Sequence, residues 1–126
     1  MKLYKHPYIF IKQSPEPRFG VFSSVFIAAK TILEECHYAT IGDGLFNESL
    51  KGYTYNYESP SGVKKQIIPL GYGAIYNHNI NSNAEWFIDY DRDLVIFVST
   101  KNIFKGQQIY ISYGENFERT FDFNQL

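Results

Sequence analysis

Leu70-Gly71-Tyr72-Gly73-Ala74-Ile75-Tyr76-Asn77-His78-Asn79-Ile80-Asn81-Ser82-Asn83-Ala84-Glu85-Trp86 is the stretch on which the reading of this chain turns. It gathers two glycines, three aromatic residues, one histidine and four asparagines into a single segment. Core segments hold little asparagine, because each buried amide must find several hydrogen-bond partners. Ordinary loops hold fewer aromatic rings. A segment with both reads as the wall of a site, and the rest of the chain reads as its frame.

That frame is small and rich in strands. At 126 residues the chain suits one domain, and roughly two-thirds of its unfolded surface can be buried without help from a disulfide or a metal. It is 44% hydrophobic and 20% charged, which argues against disorder. Eleven tyrosines and eleven phenylalanines, many alternating with polar or small residues, favour β-structure and aromatic-lined clefts. A net charge of -1 gives no bulk attraction to nucleic acid or to a membrane surface. No apolar run approaches the roughly 20 residues of a membrane span, and no apolar signal core opens the chain. The lone Cys36 cannot form an internal disulfide or build a cysteine-based four-ligand zinc site, and a buried, inert thiol is expected. This cysteine usage fits an intracellular, reducing compartment.

Working outward from the wall, Tyr8 to Lys12 reads as a first strand and Ser14-Pro15-Glu16-Pro17 as a rigid turn. Arg18-Phe19-Gly20-Val21-Phe22 enters a second strand, residues 27 to 31 a turn, and Thr31 to Tyr38 a third strand. Residues 41 to 49 read as a loop. Tyr53, Tyr55 and Tyr57 alternate with Thr54 and Asn56, which would place the three rings on one strand face. Ser59 to Gly62 is a turn, with Val63 to Gln66 expected to stay exposed. Leu94 to Val98 is a continuous apolar run, typical of a strand covered on both faces. Lys105-Gly106 marks a turn, and Ile109 to Gly114 alternates again. The expectation is seven or eight short strands, no long amphipathic helix and no linker.

Three blocks in order resemble the SET domain of protein-lysine methyltransferases. Arg18-Phe19-Gly20-Val21-Phe22 is similar to the family's Gly-x-Gly-Val-Phe segment, and Tyr76-Asn77-His78 with Asn83 to its Asn-His-Ser-x-x-Pro-Asn segment. Gly106-Gln107-Gln108-Ile109-Tyr110-Ile111-Ser112-Tyr113 is similar to Gly-Glu-Glu-Leu-x-x-x-Tyr. The resemblance covers roughly residues 8 to 117 and is strongest to the compact free-standing SET proteins of viruses and bacteria. It implies a mostly β fold, the β-clip of several small sheets, with a C-terminal segment threaded as a pseudoknot near the Asn-His block. It also implies one SET domain over 1–126, ending in an aromatic tail at 118–126.

The activity so implied is S-adenosyl-L-methionine-dependent transfer of methyl to a lysine ε-amine, on a histone tail or another host protein. Phe19, Gly20, Val21, Phe22, Asn77, His78 and Phe117 would then hold the cofactor. Gly20, lacking a Cβ, would let the backbone approach a ligand closely. Arg18 stands where the family usually has its first glycine, so either its side chain points to solvent or the grip on the cofactor is altered. Tyr113 would be the catalytic tyrosine, orienting the amine for in-line displacement. A lysine with a pKa near 10.4 must first lose its proton, which an apolar channel and a neighbouring sulfonium both favour. Tyr53, Tyr72, Tyr76, Trp86 and Tyr110 would line an aromatic substrate channel, since methylated ammonium groups are drawn to ring faces. Asn79, Ser82, Gln107 and Gln108 depart from the family pattern, and the two glutamines read as a drifting surface turn. Glu85, Asp89, Asp91 and Glu115 are acidic candidates for a groove taking basic substrates.

No metal, membrane or nucleic acid is expected as a partner, and a homodimer is compatible. A viral or secreted protein of this kind would work in the host cytoplasm or nucleus. A SET-like binding module without activity, and a methyltransferase acting on a small amine, are the alternatives. Cofactor binding separates the first from an enzyme, and assays with free polyamines beside peptides address the second.

Overall fold

The computed structural model describes residues 2–41 and 53–112. Among them lie ten strands and no helix: β1 (Ile9–Gln13), β2 (Phe19–Ser23), β3 (Ile32–Cys36), β4 (Tyr38–Ile41), β5 (Tyr55–Glu58), β6 (Lys64–Pro69), β7 (Asn77–His78), β8 (Ala84–Asp89), β9 (Leu94–Ser99) and β10 (Gln108–Ile111). The larger sheet runs β1-β2-β10-β8-β9-β3, with the two-residue β7 pairing to β10. A second sheet of three strands runs β4-β6-β5.

The apolar run predicted to be covered on both faces is β9, and all six of its residues are buried. It pairs antiparallel with β8 on one side and β3 on the other. Alternation along β9 divides its side chains between two cores. Val95 and Phe97 join the main core with Val21, Leu33, Tyr55, Ile67, Tyr76, Ile109 and Ile111, whereas Leu94, Ile96 and Val98 pack with Phe87. Tyr76 stacks on Phe97 with centroids 4.5 Å apart, and Tyr55 meets both Phe97 and Trp86 edge-on.

Three expectations change. Val63 to Gln66 does not simply lie exposed: Lys64 opens β6, and Lys65 and Gln66 are partly buried between β4 and β5. Of the three alternating tyrosines, Tyr55 and Tyr57 share the buried face of β5, while Tyr53 precedes the strand and is exposed. The predicted third strand is two strands, broken at His37, with β4 turning into the smaller sheet.

β10 is the seam of the molecule. Its first half pairs antiparallel with β2 (Gln108↔Phe22, Ile109↔Val21). Its second half runs parallel to β7 (Tyr110↔Asn77, Ile111↔His78) and meets β8 at Ala84. All three blocks picked out in the sequence therefore converge on one strand. Residues 113–126, which include Tyr113, Phe117 and the predicted threading, lie outside the described residues.

Candidate functional site

The site grows from the turn between β1 and β2. Pro15 and Pro17 have no N–H to fasten a turn, and Ser14 does it for them. The Ser14 hydroxyl is placed to donate to the carbonyls of Glu16 (3.0 Å) and Arg18 (2.9 Å), and the Ser14 N–H donates to Arg18 O at 3.0 Å. The turn then delivers Phe19 and Gly20 to the Asn77 amide.

Asn77 is 2% exposed, and its Nδ2 group faces three acceptors: Ser14 Oγ at 3.2 Å, Phe19 O at 3.2 Å and Gln108 Oε1 at 2.8 Å. With its N–H groups committed to that side, the orientation of the amide is set. Gln108 passes the network on. Its Nε2 donates to the Tyr110 hydroxyl at 2.9 Å, and that hydroxyl donates to Glu16 Oε1 at 2.9 Å. Burial, and then the bond to the Glu16 carboxylate, raise the Tyr110 phenol above its ordinary pKa. Phe19, Asn77 and Tyr110, three of the residues expected at the site, are thus joined in one hydrogen-bonded cluster, and Gly20 packs against it.

The residue that joins them is one the sequence reading set aside. Gln108 is buried, not part of a drifting surface turn. The signal was present in the alternation of β10: Gln108 and Tyr110 share one face, Ile109 and Ile111 the other. Its burial also supplies a local reason for Gly20. A Cβ at that position would collide with Gln108 Oε1 and lie 2.9 Å from Asn77 Nδ2, so the space the glycine leaves is filled by the cluster itself.

The asparagines of the wall divide by task. Asn83 clamps β10: its Nδ2 donates to Gln108 O (3.0 Å), its Oδ1 accepts from Tyr110 N–H (2.8 Å), and its own N–H donates to Tyr110 O (3.1 Å). Asn79 replaces the family's serine and closes the loop locally, its Oδ1 accepting from Asn81 N–H at 2.8 Å. His78 is exposed, with its backbone registered against Ile111.

Tyr72 and Tyr76 belong to a separate group built on Glu34. Glu34 is 3% exposed and accepts from Tyr72 N–H (2.9 Å) and the Tyr76 hydroxyl (2.9 Å). Burial raises its carboxyl pKa, with those two bonds opposing. Gly71, at φ 72°, leaves room for it, since a Cβ there would approach Glu34 Oε2 to 2.5 Å. Tyr76 has no solvent exposure and fills the core, and Tyr72 lies under Lys5 Nζ at 4.1 Å from its centroid. Beside Glu34 lies a cavity of about 250 Å³, bordered by Leu3, Lys5, Cys36 and Leu70. Burial pushes the Cys36 thiol far up, consistent with an inert thiol. Trp86 is half-buried on β8 against Tyr55. Tyr53 stands apart from this group, its ring facing the Arg18 guanidinium at 5.1 Å.

Arg18 does not simply point to solvent. Its Nη2 is buried and finds no hydrogen-bond acceptor among the described residues. Of the acidic groove candidates, Asp89 is paired with Arg92 at 2.8 Å, and Arg92 reaches Glu35 at 2.6 Å. Among the described residues no group of three His, Cys, Asp or Glu side chains could hold a metal ion, and no helix is long and apolar enough to cross a membrane.

S-adenosylmethionine suits what the described residues offer. Its amino-acid end carries an ammonium and a carboxylate, and the described residues hold an asparagine amide of set orientation and a buried cationic donor lacking an acceptor.

Comparison with known proteins bears on the family and the fold. The sequence signature of the SET domain matches residues 18–114. A Plasmodium falciparum structure assigned as a histone methyltransferase is 30% identical, with a TM-score of 0.70, over 90% of this chain and 99% of its own. The methyltransferase domain of human PR domain-containing protein 2 shares the fold at 14% identity, with a TM-score of 0.68 over 88% of this chain and 80% of that one. No curated protein sequence matches the chain. With the three blocks brought together on β10 and the signature spanning the strands that carry them, the chain belongs to the SET-domain family.

Proposed function

We infer that this chain is a protein-lysine N-methyltransferase that uses S-adenosylmethionine. The observation that carries the reading is the Asn77 cluster. One amide, oriented by Ser14, Phe19 O and Gln108, ties β2, β7 and β10 together where the family binds its cofactor. Asn77 Oδ1 and the backbone of Phe19, Gly20 and His78 would hold the cofactor, with Val21 and Phe22 buried behind them. Phe117 is proposed to complete that wall. When bound, the cofactor supplies an activated methyl group on a sulfonium.

The chain's own residues would do the positioning. Tyr113 follows the end of β10 by two positions in sequence, and it is proposed to orient the incoming amine. Tyr53, Tyr72, Trp86 and Tyr110 are proposed to approach the substrate side chain, whereas fully buried Tyr76 would act by holding Glu34 and the segment leading to Asn77. Positioning a neutral amine in an apolar setting supplies much of the rate in such a transfer. A lysine on a histone tail or another host protein is the proposed acceptor. The resemblance to a structure assigned as a histone methyltransferase supports the first of these.

The test is transfer of radiolabelled methyl from S-adenosylmethionine to histones and to fractionated host lysate. Wild type should label a protein band. Tyr113→Phe should abolish or strongly reduce labelling while still binding cofactor by calorimetry. Wild-type turnover by that variant would remove Tyr113 from the mechanism, and an absence of cofactor binding by wild type would leave a SET-like binding module as the reading.

A further inference from the structure

We propose that Arg18 is a cofactor-binding residue of this chain, its guanidinium receiving the α-carboxylate of S-adenosylmethionine. The proposal rests on the reading of the chain as an S-adenosylmethionine-dependent enzyme and assigns a role to the position where its sequence departs from the family.

Four observations converge on it. First, Nη2 of Arg18 is buried and lacks an acceptor among the described residues, a state rare for a charged donor in a folded protein. Second, the backbone from which the side chain departs is held on both sides. Ser14 bonds Arg18 O, and Asn77 Nδ2 bonds Phe19 O, so the guanidinium leaves from a fixed base within the cluster. Third, the face of Tyr53 stands 5.1 Å from Cζ and gives the planar cation a wall while leaving the donors at its edge to another group. Fourth, Arg18 forms no ion pair with any carboxylate among the described residues, whereas Arg92 takes both Asp89 and Glu35.

An anion is the partner that answers both the charge and the unmet donor, and a planar one matches the fork geometry of a guanidinium. The cofactor carries a carboxylate at its amino-acid end, and Arg18 is adjacent in sequence to the residues assigned to that cofactor. An acidic side chain of a bound peptide could offer the same chemistry, and the experiment separates the two sources.

Isothermal calorimetry is performed on the full chain and on Arg18→Ala with two ligands. S-adenosylhomocysteine carries the carboxylate; 5′-methylthioadenosine keeps the adenosine and the thioether but lacks the amino-acid end. Arg18→Ala should weaken S-adenosylhomocysteine roughly tenfold or more, the size expected for a lost charge-assisted hydrogen bond. Its affinity for 5′-methylthioadenosine should match wild type. Arg18→Gln, which keeps length and an N–H donor but no charge, should also lose S-adenosylhomocysteine affinity, and it carries the same comparison if Arg18→Ala does not fold. Equal weakening of both ligands would overturn the proposal, because a structural role would produce it. So would unchanged cofactor affinity with a raised KM for peptide, which would place the anion on the substrate. If wild type bound neither ligand, the functional reading itself would fail. Wild-type binding with no Arg18 effect would overturn only this assignment.

Discussion

A Cβ at position 20 has nowhere to go while Gln108 and Asn77 keep their places. Gly20→Ala should therefore destabilise the fold by about 1–3 kcal/mol, as overpacking does, measured by urea unfolding. Gln108→Ala leaves the Asn77 amide and the Tyr110 hydroxyl each short of a partner and should cost about 1–3 kcal/mol. The two changes should not add. With Gln108 shortened, the obstacle nearest position 20 is gone, and Gly20→Ala should cost less on that background than on wild type. Additive losses would mean that the glycine answers to something other than the Gln108 side chain. At this scale the sequence was informative about identities and silent about reasons. Asn77 and Gly20 stood out because they match a pattern, whereas Gln108 departed from it and was dismissed, although its amide is the link between the two.

Among the elements, β9 announced itself, because a strand covered on both faces has no polar face to interrupt it. β2 and β10 were legible through alternation and through the blocks they carry. β6 was hidden by its polar opening, Lys64-Lys65-Gln66, which can be a strand because β4 and β5 flank it and Tyr38 and Tyr57 take Lys65 against their rings. β8 was hidden because Ala84 to Trp86 was read as the end of a site wall, when the same residues begin a strand paired along its length with β9. Tertiary pairing, not local pattern, decides such cases. The packing of β9 also yields a test. Phe97 is fully buried between Tyr76 and Tyr55, so Phe97→Ala should cost about 3–5 kcal/mol by chemical denaturation. A loss below about 1 kcal/mol would show that the rings around it can close the gap.

Across the whole molecule, acid and base bear on stability through groups with opposite signs. Glu34 has its carboxyl raised from an ordinary 4.5, chiefly by burial, so the folded chain holds that proton more tightly than the unfolded one. Its contribution is complete below the unfolded value and is lost as pH rises through the folded one. Asp89 is lowered, first by its bond to Arg92, so its contribution is present above its unfolded value and is lost as pH falls through the lowered one. Glu34→Gln removes only the first effect. Urea midpoints measured from pH 4 upward should fall less, or rise more, for Glu34→Gln than for wild type; parallel curves would show that Glu34 ionises in the folded chain as it does in the unfolded one. Finally, the bond between the Tyr110 hydroxyl and Glu16 joins positions 94 apart. Loop closure of that span is slow compared with hairpin formation. On a ribosome, β1 and β2 can pair early, yet the cluster around Asn77 has to wait until β10 has been synthesised and released. Cofactor capture would then be among the last properties a nascent chain acquires, and half-made chains would be unable to sequester it.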